Sequence, residues 1–284
     1  MSAMRVFALT LFAMIAFAGN SLLCRMALKN TSIDPSSFTT IRLISGALML
    51  GLIVHIRGGT YGAAGSWLSA LALFAYAAGF SFAYISLPAG TGALLLFGAV
   101  QVTMIGYGFS AGERLHKQQI AGLIFAFGGL VGLLLPGLSA PPLQGSVLML
   151  GAGIAWGIYS LRGSSAGDAT CVTASNFLRA LPFAVALSIV MLPSALLDLP
   201  GVGYAVASGA VASGIGYAIW YMALQGLKPT SAASVQLSVP MIAAVGGMIF
   251  LGEPFSARFL IASAAILGGI ALVVFGKRRA TVAP

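Results

Sequence analysis

The chain has 284 residues, of which 59% are hydrophobic and only 7% charged. Soluble domains carry about 25% charged residues, so this composition excludes a water-facing globular surface and makes lipid the solvent. The net charge of +9 does not mark a nucleic-acid partner, because the Lys and Arg residues are scattered between apolar runs instead of clustering on a soluble domain.

Runs of about 17–22 apolar residues are long enough to cross a bilayer as helices. Ten are read, at 6–27, 36–55, 66–87, 91–111, 118–136, 145–161, 172–193, 203–225, 231–251 and 258–276. They are continuous, not alternating, so the expected fold class is an all-α membrane protein and not a β-barrel. The first run follows Arg5 and contains Ala16-Phe17-Ala18, which resembles a signal-peptide cleavage site. It continues past Ala18 to Leu28, broken only by Arg25, and has an internal counterpart near Trp156. It is therefore expected to remain as a span, with Asn20 near its middle.

The second span carries Arg42. An Arg near a helix centre costs about 2.5–3.5 kcal/mol on insertion scales; a partner for a substrate carboxylate is one reading, but Arg42 is expected instead to snorkel to a membrane face or to pair with Asp34. The third span bears an i, i+4, i+8 stripe, Tyr76, Phe80 and Tyr84. A Tyr ring buries a large apolar face and offers one hydroxyl, which suits a small amphipathic ligand. The fourth span holds Gln101 and ends on Gly112-Glu113. The sixth carries Trp156 and Tyr159. The seventh carries Arg179 after Asp168, in the same relation as Arg42 after Asp34. The eighth repeats the stripe as Ser213, Tyr217 and Tyr221, and the ninth holds Gln236 and Pro240 and ends on Gly252-Glu253. Each Glu is expected to fix a turn at a membrane face and to meet an Arg or a helix N-terminus. Spacings of the GxxxG type at Gly108/Gly112, Gly128/Gly132 and Gly153/Gly157 are expected to pack helices.

The chain also contains itself twice. Glu113 and Glu253 are 140 residues apart, and fifteen residues after each lies a Gly pair, Gly128-Gly129 and Gly268-Gly269. Phe17 and Trp156 open matching runs at an offset of 139, and Tyr84 matches Tyr221 at 137. The expected units are 1–137 and 138–284. With the N-terminus inside, Arg5, Arg57, Arg114, Lys117, Arg162, Lys228, Lys277, Arg278 and Arg279 fall on the inner side, against Arg25, Lys29 and Arg258 outside. The positive-inside rule then puts both termini in the cytoplasm. Five spans per unit is odd, so the repeats are expected to be inverted, as in many secondary transporters.

No enzyme is expected. Zinc proteolysis needs H-E-x-x-H, which is absent, as is the G-x-x-x-x-G-K-[ST] loop of an ATP-driven pump. Ser208 and Ser213 have no later His to act as base. Cys24, Cys171, His55 and His116 are isolated, so no metal and no cofactor is expected. A channel would want a continuous polar or charged ring, and none is evident.

These features resemble the drug/metabolite transporter (DMT) superfamily, specifically its EamA-type members. The resemblance rests on Phe17-Ala18-Gly19-Asn20, Trp156-Gly157, the Gly-Glu ends at Glu113 and Glu253, and Pro240, and it covers nearly the whole chain. Two departures stand out. Val100 occupies the place of Pro240, so the fourth span should lack the bend of the ninth, and Phe17 replaces the usual Trp. Within the superfamily the chain resembles the YddG-type exporters of aromatic and other hydrophobic amino acids. That resemblance implies a multi-pass protein of the bacterial cytoplasmic membrane, with a central cavity between spans one, three, four, six, eight and nine. The stripes alone suit aromatic drugs equally well. The residues expected to line the site are Asn20, Tyr76, Phe80, Tyr84, Gln101, Trp156, Tyr159, Ser213, Tyr217 and Gln236. With Arg42 and Arg179 assigned to structure, an amino acid's charged ends fall to Asn20, Gln101, Gln236 and backbone near Pro240. Such neutral contacts imply affinity in the millimolar range, about 4 kcal/mol. The expected partners are the small-molecule substrate and the lipid bilayer. Nothing in the sequence speaks to oligomeric state.

Overall fold

The computed structural model describes residues 2–59, 65–110, 116–137, 140–163, 168–227, 232 and 235–280, with side chains as far as 274. Among these residues the chain runs through ten helical passes. They are α1 (Ala3–Asn30), α2 (Pro35–Ile56), α3 (Trp67–Tyr84), α4 (Ala89–Ser110), α5 (Lys117–Leu134), α6 (Leu143–Gly163), α7 (Ala169–Val190), α8 (Leu199–Leu224), α9 (Val239–Leu251) and α10 (Ala257–Ala280). Eight are long and apolar enough to cross a membrane, and α9 is a shorter apolar helix. The protein is a helical membrane protein. Side chains such as Leu48, Phe125, Ile189 and Phe250 are exposed on its outside, as a lipid-facing surface requires.

Caps set where the helices begin. The Asp34 carboxylate accepts from the backbone N–H groups of Ser36 and Ser37 at the start of α2, with Pro35 in the first turn. Partial burial works to raise its pKa, but the hydrogen bonds from Ser36 and Ser37 outweigh it and hold the carboxyl below its ordinary value. Asp168 caps α7 in the same way through Thr170 and Cys171. Both acids thus serve orphan backbone donors, and Asp34 forms no ion pair with Arg42, the pairing expected from the sequence.

The ninth expected span, 231–251, is not one helix over its described residues. The chain turns at 237–238 and α9 begins at Val239. Pro240 brings no N–H to the carbonyl of Gln236 four residues earlier, so the ladder breaks there. The fourth span, with Val100 in place of that Pro, is an unbroken helix. In α8, residues Ala207–Ile215 form a π-helical stretch, a local widening frequent at functional sites.

Glycine decides the closest approaches. A Cβ on Gly122 would stand 2.5 Å from the Gly269 carbonyl oxygen, and one on Gly269 would stand 2.4 Å from that of Gly122, so α5 and α10 meet backbone to backbone. Gly153 and Gly157 press against Leu96 and Thr103 of α4. The expected Gly128/Gly132 pair packs nothing. Both glycines face open space in a groove between α5 and α10, and Gly112 lies outside the described residues. The main helix pairs are α5–α10, α2–α7, α4–α9, α3–α6 with α1–α8, α4–α6 with α1–α9, and α2–α8 with α3–α7. Adding five to each helix number maps this set of pairs onto itself.

Candidate functional site

A cavity of about 690 Å³ lies between α1, α3, α4, α6, α7, α8 and the segment before α9. Asn20, Tyr76, Phe80, Gln101, Trp156, Tyr159, Tyr217 and Gln236 line it. Tyr84 and Ser213, also expected there, do not. Tyr84 is one turn further along α3, where its ring packs edge-on against Phe80, 4.7 Å between centroids, and its hydroxyl donates to the Ala89 carbonyl at 3.2 Å. Ser213 falls in the π-helical stretch, whose wider turn rotates it out of the stripe, so that Ala212 lines the wall. Phe17, Trp220, Tyr221 and Thr173 also contribute. Phe17 had a signal in the sequence, since it is the repeat counterpart of Trp156.

The wall is a continuous aromatic sheet. Trp156 stacks on Tyr217, 5.4 Å and 20° apart, and on Tyr159, 5.2 Å and 28°. It also meets Tyr76 at 4.8 Å, and Tyr76 meets Phe80 at 5.4 Å. Phe17 adds contacts to Tyr217 and Trp220 at 5.8 and 5.9 Å. Such faces bind flat apolar groups by offset or edge contact. Polar groups interrupt the sheet at few points. The Tyr221 hydroxyl shares a 2.8 Å hydrogen bond with Thr173. Gln101 and Gln236 line the cavity without a side-chain hydrogen bond among the described residues, leaving two amides for a ligand.

The cavity reaches Gly163, Ala169 and Leu224, at helix ends on the face that carries the N-terminus. Its other end is closed. Beyond Phe80 and Ser21, Arg25 Nε binds Glu253 Oε1 at 2.9 Å, and the two side chains are only 12% and 9% exposed. Glu253 Oε2 accepts from the Ala89 N–H at 2.7 Å, the first residue of α4. Arg25 Nη1 donates to the carbonyls of Tyr84 and Ile85, at 2.9 Å each. Gly252, at φ +63, turns the chain so that Glu253 points inward. One ion pair therefore ties α1, the end of α3, the start of α4 and the end of α9. Glu253 meets both an Arg and a helix N-terminus, as expected. Glu113 lies outside the described residues.

Arg42 departs from its expectation. It does not snorkel: it is 1% exposed and stands directly behind Tyr76 and Phe80. Arg179 fits its expectation better. Its Nη1 lies 2.9 Å from where a Cβ on Gly65 would sit, so its head reaches the segment before α3.

The model of the EamA-like transporter family matches residues 143–275. The chain is 56% identical over 271 residues to an uncharacterized protein of Pseudomonas aeruginosa, covering 95% of this chain and 94% of that one. It is 26% identical over 208 residues to a probable amino-acid metabolite efflux pump of Escherichia coli, covering 68% and 69%. The threonine/homoserine exporter RhtA of Escherichia coli is 32% identical over 128 residues, covering 44% and 43%. A crystal structure of a protein 18% identical superposes with a TM-score of 0.66 over 98% of this chain and all of that one, a likeness of fold alone.

Proposed function

The chain belongs to the EamA-like transporter family of the DMT superfamily, and on that premise we propose that it exports aromatic and other hydrophobic amino acids across the bacterial cytoplasmic membrane. One observation carries the reading: an aromatic-walled cavity of about 690 Å³ that reaches one face and is latched at the other. A closed end suits a carrier that works by alternating access and not a channel. The volume holds one amino acid of any size, since ligand pockets run to about 300–1,000 Å³. The efflux functions of the named relatives support an amino-acid substrate. Amphipathic drugs share the aromatic chemistry and are the competing cargo.

The helix pairing supports two inverted units, 1–137 and 138–284, because five-helix repeats related by a two-fold axis give pairs that map onto themselves. The excess of basic residues on the side of the N-terminus favours both termini in the cytoplasm, and in that orientation the cavity opens on the loading side. Cys171 tests this orientation without engineering. It is partly exposed near the termini face, whereas Cys24 is fully buried. A membrane-impermeant maleimide should label Cys171 in inverted vesicles and leave it unlabelled in intact cells; the reverse pattern sinks the orientation.

The substrate reading is tested by counterflow of labelled phenylalanine in liposomes holding the purified protein. Saturable, trans-stimulated exchange is expected, and its absence alongside exchange of a hydrophobic drug would move the cargo to the competing class. Phe80→Ala or Tyr217→Ala should weaken phenylalanine transport roughly two- to tenfold more than threonine transport, because ring contacts contribute about 0.5–1.5 kcal/mol beyond burial. Equal losses for both substrates would take these rings out of the recognition step.

A further inference from the structure

Among the described residues Arg42 is the largest fully buried side chain, and no carboxylate answers it. Of the four described acids, Asp34 and Asp168 cap helices, Glu253 pairs with Arg25, and Asp198 sits at the start of α8. The guanidinium carbon lies 5.1 Å from the Tyr76 ring centre and 4.8 Å from that of Phe80. Two aromatic faces offset part of the desolvation penalty of a buried cation. They do not balance its charge, and a buried charge without a counter-ion is strongly unfavourable. Nε and Nη1 have no hydrogen-bond partner.

The one bond Arg42 makes points at the cavity. Its Nη2 donates to the Tyr76 hydroxyl oxygen at 2.9 Å. Asn20 Nδ2 donates to the same oxygen at 3.2 Å, while Asn20 Oδ1 accepts from Ser208 at 2.6 Å. An arginine can only donate, so the phenol oxygen must accept, and it has two lone pairs. Both are taken. The Tyr76 O–H proton is the remaining polar function, and it has no acceptor among the described residues. Donation from a cation into the phenol oxygen makes that proton a stronger donor.

We propose that the Tyr76 hydroxyl, polarised by Arg42 behind it, is the carboxylate-recognition point of the cavity, and that Arg42 supplies the charge which the substrate's carboxylate balances. This rests on the transporter reading and narrows it. The cargo is a carboxylate-bearing molecule, and amides, esters and amines of the same shape are poor substrates. The charge stays behind the wall and acts through a neutral hydroxyl, so the carboxylate is attracted without forming a direct ion pair that would slow its release.

Binding is read from quenching of tryptophan fluorescence, since Trp156 stacks beside Tyr76. The probes are phenylalanine, phenylacetate and phenylalaninamide, with purified protein in detergent. Wild type should bind both acids at least tenfold more tightly than the amide. Tyr76→Phe keeps the ring and should collapse that ratio to about one; its melting temperature should fall, because Arg42 and Asn20 lose their acceptor, but unfolding should stay cooperative. Arg42→Gln should do the same, and Arg42→Lys should restore part of the preference. If Arg42→Gln does not fold, Tyr76→Phe decides alone. An acid-over-amide ratio that survives Tyr76→Phe, or a wild type without acid preference, overturns the proposal. Acid preference in binding with no counterflow would instead defeat the transporter reading and leave this site standing.

Discussion

Glu253→Gln is expected to unseal the end of the cavity opposite the termini. The carboxylate bridges Arg25 at 2.9 Å and the Ala89 N–H at 2.7 Å, where both charged side chains are nearly buried. Removing one partner of a buried pair costs about 3–5 kcal/mol, because the other charge is left unanswered. The remaining exposure of about a tenth places this case toward the lower end. Even about 3 kcal/mol, applied to the closed state alone, shifts the balance of closed and open forms about a hundredfold. The readout is Ser21→Cys in a background lacking Cys24 and Cys171, since Ser21 is on the cavity wall next to the seal. Alkylation by an impermeant reagent added to intact cells should accelerate about a hundredfold with Glu253→Gln. Arg25→Gln should act alike, and the double variant should add little, as expected of one shared interaction. Unchanged labelling would mean that packing holds the end shut, through Tyr84 against Gly92 and Leu22 against Gly246.

The seal also shows what was legible in the chain. Hydropathy marks nine of the ten passes closely, because lipid leaves no other solution for a long apolar run. It gives no sign of the break in the ninth, where residues 235–236 are helical and the chain turns at 237–238 before Pro240; only the family resemblance marks a bend there. The aromatic stripes are legible because i, i+4 spacing puts side chains on one helix face. That arithmetic assumes 3.6 residues per turn, and it fails at Ser213, where the backbone is π-helical. No residue in Ala207–Ile215 announces the change except its many small side chains. Tyr84 is on the right face, but its hydroxyl finds a backbone carbonyl before it finds the cavity. Arg42 is misread for a different reason. Snorkelling is the inexpensive arrangement for a lone Arg, and only the fold shows that two aromatic faces from another helix make burial tolerable. Arg179, its counterpart in the proposed second unit, does reach toward a helix end. Duplicated positions therefore need not share a role.

Gly209→Val is expected to be strongly destabilising, because Gly209 is where α8 packs against the backbone of α2. A Cβ at Gly209 would stand 2.1 Å from the Arg42 carbonyl oxygen and 2.1 Å from Ser45 Oγ. Ser45 can turn aside, but a helix carbonyl cannot, so α2 and α8 must separate. Overpacking of this kind costs about 1–3 kcal/mol where side chains can yield, and backbone contact places Gly209 at or above the upper figure. Gly214 in the same stretch is a useful contrast. Its Cβ would stand 2.9 Å from Met49 Cβ and Cγ and 3.4 Å from the Gly209 carbonyl oxygen; Met49 Cγ can rotate aside but its Cβ moves only with α2, so the clash is milder than at Gly209 without being free. Gly19 has open space and provides the control. Thermal unfolding in detergent should therefore rank Gly19→Ala near wild type, Gly214→Ala below it, and Gly209→Ala lowest, with Gly209→Val poorly recovered. The consequence reaches the cavity. Ser208, beside Gly209, holds Asn20, and Asn20 holds Tyr76. Displacing α8 from α2 would draw on that chain of bonds at the same time as it moves the backbone of Arg42. A folded fraction of Gly209→Ala should thus lose phenylalanine binding, while Gly214→Ala retains it. Equal melting temperatures for the Gly209→Ala and Gly214→Ala proteins would show that the two helices have room to part, and that the wide π turn absorbs the added methyl group.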